Sequence, residues 1–238
     1  MIPKKIHYIW LGKKPKTKLT EICINSWRRV LDDYEIIEWN ESNLPLEELK
    51  QNKFLNRCIQ LELWAFVSDY IRLYILNREG GIYLDTDVEV LKRFDNFLDQ
   101  KSFIGYENND YIGTGIIGAE QESSFIKRLL KFYDDEIWKV DFYNNPIIFK
   151  YVLKSSSNLL SEVKIFDRKI FSPYIPGNKY NCIVEDNDSV TIHWYSKNWN
   201  MSRKGYVFLN TKHISNPIRR VFSMIKKNIA YAIKVKNM

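Results

Sequence analysis

One run of residues near the middle of the chain, Gly80-Gly81-Ile82-Tyr83-Leu84-Asp85-Thr86-Asp87, constrains the fold more than any other feature. The glycine pair ends a helical pattern, the apolar residues predict a short strand, and two aspartates follow the strand directly. In open α/β sheets, ligands bind at the edge where such strands end. Because residues i and i+2 of a strand share a side, we expect Asp85 and Asp87 to point the same way.

The rest of the chain predicts helices that alternate with strands. The β-rich runs 4–11 and 34–39 flank a helical pattern over residues 20–31, which is typical of a βαβ unit. We further predict a long helix over residues 57–78 and a helix over 123–133, with short strands at 82–84, 103–106, 111–118 and 190–194. The order of these elements indicates one α/β domain with a mixed, mostly parallel central sheet.

Composition restricts the class of protein. The chain has 238 residues, of which 45% are hydrophobic and 27% charged, and this predicts one globular domain with a full core. Its three cysteines are far apart and form no CxxC pair, which argues against a disulfide framework or a zinc ribbon and suits a reducing cytosol. We find no export signal and no membrane-spanning run, so we expect a cytoplasmic protein.

The formal charge of +7 is unevenly distributed. Residues 211–238 contain seven basic residues and no acidic one, so the 29 remaining basic residues balance all 29 acidic residues. The body of the chain is therefore neutral, and no basic groove for nucleic acid is expected there. Aromatic residues are also not interleaved with basic ones, as stacking on nucleic acid would require.

The basic tail carries a helical repeat of apolar residues. From Asn216-Pro217 onward these are Ile218, Val221, Phe222, Ile225 and Ile229. A basic amphipathic helix is typical of an element that lies on an anionic membrane surface. The alternative is a terminal helix that packs on its own domain and leaves its lysines solvated.

The acidic pair has a chemistry of its own. Two carboxylates so close together repel each other unless a cation or a donor lies between them, and a small set of hard oxygen ligands suits Mg²⁺ or Mn²⁺. Asp69 and Arg72 share another face of the preceding helix at i and i+3. The alternatives are an exposed turn with two incidental acids, and a solvated helical ion pair.

At these residues the sequence resembles a known family. The segment SDYIRLYILNREGGIYLDTDV is similar to the sugar-binding DxD region of glycosyltransferase family 32, and also to the glucosylating domain of large clostridial toxins. IPKKIHYIWLG resembles the opening strand of the family, and HWYSKNW resembles its closing motif. The resemblance extends over about residues 1–200. It implies a GT-A type, Rossmann-like nucleotide-sugar-binding domain over residues 1–210, followed by the basic tail 211–238.

The resemblance also implies roles for residues that contact the donor. Trp10 would stack on the nucleotide base, and Tyr83 would contact the donor. Asp69 and Arg72 would hold the sugar hydroxyls and the glycosidic or phosphate oxygens. Trp199 would close over the diphosphate.

A metal centre is the second implication. Asp87 would bind the metal directly, and Asp85 would take the ribose and sugar side while also facing the metal. His193 and Ser196 would complete the metal and phosphate site, with His193 as a ligand. The metal would be Mn²⁺ or Mg²⁺. The remaining early histidine, His7, has no partner signal and is interpreted as structural.

The implied function is retaining transfer of a sugar from a UDP- or GDP-sugar donor to a saccharide acceptor. Capsule or O-antigen assembly would make that acceptor lipid-linked, with the enzyme peripheral on the inner face of the plasma membrane. One departure is Asn144-Asn145-Pro146, where the family often has a Gly-Pro pair on the acceptor side. The rival hypothesis is a carbohydrate- or membrane-binding protein that keeps the same fold without performing transfer.

Overall fold

The computed structural model describes residues 1–108, 111–175, 187–196 and 201–236. Eight strands are present in this part of the chain: β1 Lys5–Ile9, β2 Glu35–Trp39, β3 Gly81–Leu84, β4 Val88–Val90, β5 Ser102–Tyr106, β6 Ile112–Ala119, β7 Val163–Phe166 and β8 Thr191–His193. Six of them form one sheet in the order β2-β1-β3-β6-β5-β7, and β4 pairs with β8 in a second small sheet.

The large sheet is mixed and mostly parallel, as the sequence predicts. β1 runs parallel to both of its neighbours, β2 and β3, and β5 runs parallel to β7. β6 is antiparallel to the two strands beside it. The carboxyl ends of β1 and β3 therefore meet at one edge of the sheet, which brings Trp10 and Asp85 to the same edge.

Helices cover both faces of this sheet. The helices of the described residues are α1 Lys18–Val30, α2 Leu46–Leu49, α3 Lys53–Gln60, α4 Trp64–Glu79, α5 Ser124–Lys131, α6 Asn145–Ser155, α7 Arg168–Phe171, α8 Arg203–Thr211 and α9 Pro217–Lys236. One hydrophobic cluster lies between the sheet and α3 to α6, and a second lies on the opposite face under α1 and α7. A single π-helical turn, Phe132–Glu136, and two short 3₁₀ segments complete the described elements.

The predicted helix over residues 57–78 is wrong in one respect, because the structure divides it into α3 and α4. The backbone of Glu62 adopts a φ of 54°, which no helix continues through. The apolar stripe that indicated the helix begins at Leu63, after the break, so its periodicity carried no information about the break itself.

The Gly80-Gly81 pair is required at the end of α4. Gly80 has a φ of 63° and Gly81 a φ of 104°, values that glycine adopts without steric cost. A side chain on Gly81 would also lie 2.8 Å from Nε2 of His7. His7 is buried and contacts the Gly80 carbonyl oxygen at 2.8 Å through that nitrogen, which agrees with its interpretation as a structural residue.

The end of the chain is only partly separate from the domain. Lys212, one of the seven basic tail residues, is buried, and its ammonium donates to the carbonyl oxygens of Ile137, Val140 and Phe142 at 2.6 to 3.0 Å. Burial lowers the pKa of Lys212 to about 8. The exposed part of the tail therefore lies beyond Lys212.

Candidate metal and donor site

The two aspartates follow β3 directly and lie in a tight turn between β3 and β4. The Val88 amide donates to the carbonyl oxygen of Asp85 at 3.0 Å, which closes the turn. Pairing of β4 with β8 places His193 directly opposite Val88. As a result, Asp85, Asp87 and His193 each offer a ligand atom, and these atoms lie within 4.8 Å of one another.

Asp87 is held as a carboxylate by its neighbours. His193 Nε2 lies 3.2 Å from Oδ1, while the amide and the hydroxyl of Ser196 donate to Oδ2 at 2.7 and 2.9 Å. Burial would raise the pKa of Asp87, but these hydrogen bonds outweigh it and lower the pKa to about 2. Ser196 therefore orients one of the predicted metal ligands.

His193 is half-buried, with a side chain that is 12% exposed. Burial opposes its charged form, yet the hydrogen bond to Asp87 and the charges of Asp87 and Asp85 are stronger, so its pKa is raised. An imidazole that gives up its proton becomes a nitrogen ligand, and two carboxylates beside it complete a set that suits Mn²⁺ or Mg²⁺. The three residues therefore fit the divalent cation that the sequence predicts.

Asp69 and Arg72 form a buried pair on α4. Arg72 Nη2 lies 3.0 Å from Asp69 Oδ1, and the two side chains are only 5% and 4% exposed. Burial raises the pKa of Asp69 to about 6, in spite of the opposing charge of Arg72. The solvated surface pair, which was the alternative for these residues, is therefore wrong.

Arg72 connects this pair to the acidic turn. Its Nη1 lies 3.3 Å from Asp85 Oδ1 and donates to the Thr114 carbonyl oxygen at 2.6 Å. The guanidinium also lies over the Tyr83 ring, 4.5 Å from the centroid, and the Tyr83 hydroxyl donates to Asp85 Oδ1 at 2.8 Å. Four predicted site residues, Asp69, Arg72, Tyr83 and Asp85, are thus in contact.

Asn145 is a site residue that sequence reasoning missed. Its Nδ2 donates to Asp69 Oδ1 at 3.0 Å, and its Oδ1 accepts from the Tyr133 hydroxyl at 3.0 Å. Asp69 lies 76 residues earlier in the chain, on α4, and Tyr133 lies in the π-helical turn. The spacing of these residues in the sequence therefore gave no signal. The sequence singled out Asn144-Asn145-Pro146 only as a departure from the family, although the same residues start α6.

Gly115 is the second missed residue. The register of β6 against β5 shifts between Gly113 and Gly118, and this irregular stretch lies beside the acidic turn. A Cβ atom on Gly115 would lie 2.9 Å from Asp85 Oδ2 and 3.0 Å from His193 Cε1. A glycine inside a predicted strand is a signal of close approach, and it was available in the segment Gly113-Thr114-Gly115.

The remaining predicted residues have different positions. Trp10 follows β1 at the same sheet edge; its indole donates to the Lys14 carbonyl oxygen at 2.7 Å, and Lys16 Nζ lies 5.6 Å from its ring centroid. Neither of these contacts reaches the acidic turn. Trp199 lies outside the described residues.

Comparison with known proteins identifies the central segment. Residues 18–104 match the family described as glycosyltransferase sugar-binding region containing DXD motif. Among curated proteins, subversion of eukaryotic traffic protein A of Legionella pneumophila is 29% identical over 111 residues, which cover 37% of this chain and 17% of that protein. Inositol phosphoceramide mannosyltransferase 3 of Schizosaccharomyces pombe is 23% identical over 136 residues, which cover 55% and 36%.

The chain thus spans 17% and 36% of the lengths of these two relatives. Among solved structures, the PaToxG glycosyltransferase superposes with a TM-score of 0.52 at 20% identity, covering 67% of this chain and 71% of that one. This likeness supports the GT-A type fold. The sequence Asp85-Thr86-Asp87 is the D-x-D of the matched segment. Residues 18–104 therefore match a glycosyltransferase sugar-binding region containing the DXD motif, which agrees with the resemblance that the sequence indicated.

Proposed function

We propose that this chain transfers a sugar from a nucleotide-sugar donor, a UDP- or GDP-sugar, to a saccharide acceptor. The observation that carries the proposal is the contact between two groups of residues. A carboxylate, carboxylate and imidazole set that can hold a cation lies at Asp85, Asp87 and His193. A buried arginine, Arg72, reaches the first of these carboxylates from α4.

Asp85, Asp87 and His193 would hold Mn²⁺ or Mg²⁺. When bound, the cation supplies positive charge that stabilises the diphosphate as it leaves the sugar. Ser196 contributes by fixing the carboxylate of Asp87 through two hydrogen bonds. An ionised Asp87 is available for this purpose at any pH near neutrality, because its pKa is lowered to about 2.

Asp69 and Arg72 would bind the donor sugar and the oxygens around the bond that breaks. Oδ2 of Asp69 is buried and accepts no hydrogen bond within the described part of the chain. A buried acceptor without a donor is costly, and a sugar hydroxyl would satisfy it. Arg72 adds a fixed positive charge that needs no reorganisation as charge develops on the leaving group.

The donor base would be held at the start of the fold. Trp10 lies at the same sheet edge as the acidic turn, and its indole face is suited to stacking on a nucleobase. Trp199 would then close over the diphosphate. Tyr83 lies between Arg72 and Asp85 and would contact the donor while keeping both side chains in place.

The stereochemical course would be retention, with the acceptor attacking on the face that the diphosphate leaves. This part of the proposal rests on the family resemblance. The acceptor would be a saccharide, in its biological setting a lipid-linked one, and the process would be the assembly of a bacterial surface polysaccharide such as capsule or O-antigen.

Helix α9 would bring the enzyme to such an acceptor. Its contacts with the domain include the Tyr206–Tyr231 ring pair, 5.5 Å between centroids, and a hydrogen bond from Arg203 to Asn228. Its other side exposes Ile218, Val221, Phe222, Ile225, Ile229 and Ile233. An exposed apolar stripe flanked by basic residues suits an anionic lipid surface. No helix in the described ranges combines the length and the apolar character needed to cross a bilayer.

The direct test is nucleotide-dependent thermal stability of the full chain. We expect UDP or GDP to raise the unfolding temperature only when Mn²⁺ is present, because the diphosphate binds through the cation. At a nucleotide concentration 100 times its Kd the gain is about 2.7 kcal/mol. Stabilisation by neither nucleotide with Mn²⁺ would favour the binding protein without transfer activity, and metal-dependent hydrolysis across a panel of nucleotide sugars would identify the donor.

A further inference from the structure

His193 has one ring nitrogen whose role the proposed site leaves open. Nε2 points at Asp87, at 3.2 Å, so it is the nitrogen that faces the cation position. Nδ1 is buried and has no hydrogen-bond partner among the described residues. A metal-binding histidine generally donates its other N–H to a carboxylate, a carbonyl or water, and this fixes both the tautomer and the ring orientation.

Glu107 is a carboxylate outside the proposed ligand set whose charge acts on His193. It follows β5 directly, and its amide donates to the Tyr111 carbonyl oxygen at 2.9 Å, so the hairpin between β5 and β6 fixes its backbone. Its Cβ atom lies 3.6 Å from the position that a Cβ on Gly113 would occupy. His193 contacts the same strand at Gly115, where its Cε1 lies 3.0 Å from the corresponding position.

Gly113 and Gly115 are two residues apart on β6, a separation of at most about 7 Å. Glu107 lies beside the first and His193 beside the second, and neither glycine has a side chain that would separate them. The imidazole atom that lies 3.0 Å from the position of a Cβ on Gly115 is Cε1, which is bonded to both ring nitrogens. An extended glutamate side chain plus one hydrogen bond of about 2.8 Å can cover the remaining distance.

The electrostatics agree with this placement. Glu107 is half-buried, and burial raises the pKa of its carboxyl, while the charge of His193 lowers it. The charge of Glu107 in turn contributes to the raised pKa of His193. Glu107 does not belong to the group of ligand atoms within 4.8 Å, so it acts on the site from outside the cation's own ligands.

We infer that Glu107 is a positioning residue that accepts a hydrogen bond from Nδ1–H of His193 and so holds Nε2 towards the cation. The inference rests on the proposed metal site. Glu107 fixes the imidazole tautomer with the proton on Nδ1, and its negative charge strengthens the imidazole as a ligand.

The test is Mn²⁺ binding to the full chain by calorimetry, without donor or acceptor. Glu107→Ala is expected to weaken Mn²⁺ binding about 10- to 100-fold, the usual effect of losing a residue that orients a metal ligand. Glu107→Gln, which keeps the shape and an accepting oxygen, is expected to lose less. Glu122→Gln, an exposed carboxylate beyond the other end of β6, is the matched control and should bind Mn²⁺ normally.

A second readout observes the hydrogen bond itself. The chain has only three histidines, so imidazole ¹⁵N spectra with diamagnetic Mg²⁺ resolve His193 after assignment by His193→Ala. We expect a protonated Nδ1 in the wild type and a shifted or exchange-broadened Nδ1–H signal in Glu107→Gln and Glu107→Ala. An unchanged Nδ1 signal in these variants would overturn the inference, even if Mn²⁺ affinity fell.

The outcomes separate the inference from the function on which it rests. If His193→Ala weakens Mn²⁺ binding and Glu107→Ala does not, only the role of Glu107 is wrong. If His193→Ala also leaves Mn²⁺ binding unchanged, the proposed metal centre itself is wrong, and the inference is overturned with it.

Discussion

Asn145, at the start of α6, donates a hydrogen bond of 3.0 Å to Asp69 on α4, 76 residues earlier in the chain. Asn145 is 1% exposed and Asp69 is 3% exposed. The contact joins Asn144-Asn145-Pro146, where the sequence departs from the family that it resembles, to the buried pair that would bind the donor sugar.

Asn145→Ala is therefore expected to leave the buried carboxylate of Asp69 with one donor fewer. The lost hydrogen bond should cost about 1–3 kcal/mol of unfolding free energy, measured by denaturant titration, and donor turnover should fall because Asp69 is no longer fixed. Asn25→Ala, at an exposed position of α1, is the control. Equal behaviour of the two variants would contradict a role for Asn145 in the site.

Asp87→Asn is expected to abolish metal-dependent turnover while cooperative unfolding persists. The neutral amide is a much weaker ligand than the carboxylate because it carries no charge, and losing several kcal/mol of charge stabilisation slows transfer about 10³-fold or more. Asp99→Asn replaces an exposed carboxylate and should behave as wild type. Full turnover in Asp87→Asn, or in the wild type with a chelator, would count against the proposed function.

Gly115→Ala tests the close approach of β6 to the metal site. The new methyl group would lie 2.9 Å from Asp85 Oδ2 and 3.0 Å from His193 Cε1, so the ligands must move. Overpacking of this kind costs about 1–3 kcal/mol, and we expect a loss of about tenfold or more in Mn²⁺ affinity. An Mn²⁺ affinity of Gly115→Ala equal to that of the wild type would show that Gly115 does not constrain the ligands.

His7 gives a prediction for pH. Burial lowers the pKa of His7 to about 4 from 6.5, and Nδ1 accepts from the Trp39 indole at 3.1 Å. Between these pH values the unfolded chain binds more protons, so stability falls as the pH drops from 6.5 to 4. The loss attributable to His7 is about 3 kcal/mol. Denaturant titrations across this range should show a shallower pH dependence for His7→Gln than for wild type, and parallel profiles would refute the assignment.

Membrane binding is tested on the exposed side of α9. We expect the full chain to float with vesicles that contain anionic lipid, and Phe222→Ser combined with Ile225→Ser to weaken this binding. Ile22→Ser, at an exposed apolar position of α1, is the control. A truncation should be made after Ser215, since Thr211 and Lys212 are buried in the domain. Equal flotation of all forms would leave α9 as a helix that only packs on its domain.

Much of the fold could be predicted from the sequence, because local patterns carry it. The βα order, the strand Gly81–Leu84 and the helical stripe before it follow from periodicity and from glycine punctuation. The motif also predicted a cation site at Asp85, Asp87 and His193, although the family resemblance was needed to connect His193 to the aspartates, since no spacing rule joins residues so far apart.

The tertiary structure decided how these residues meet. A break at Glu62, a turn at Asp85–Val88 and a register shift in β6 each depend on contacts between distant segments, and no local pattern encodes them. The hydrogen bond from Asn145 to Asp69 likewise exists only after α6 packs against α4. Sequence by itself determined which chemical groups the site contains. Packing determined their distances, burial and ionisation, because those quantities depend on neighbours that are remote along the chain.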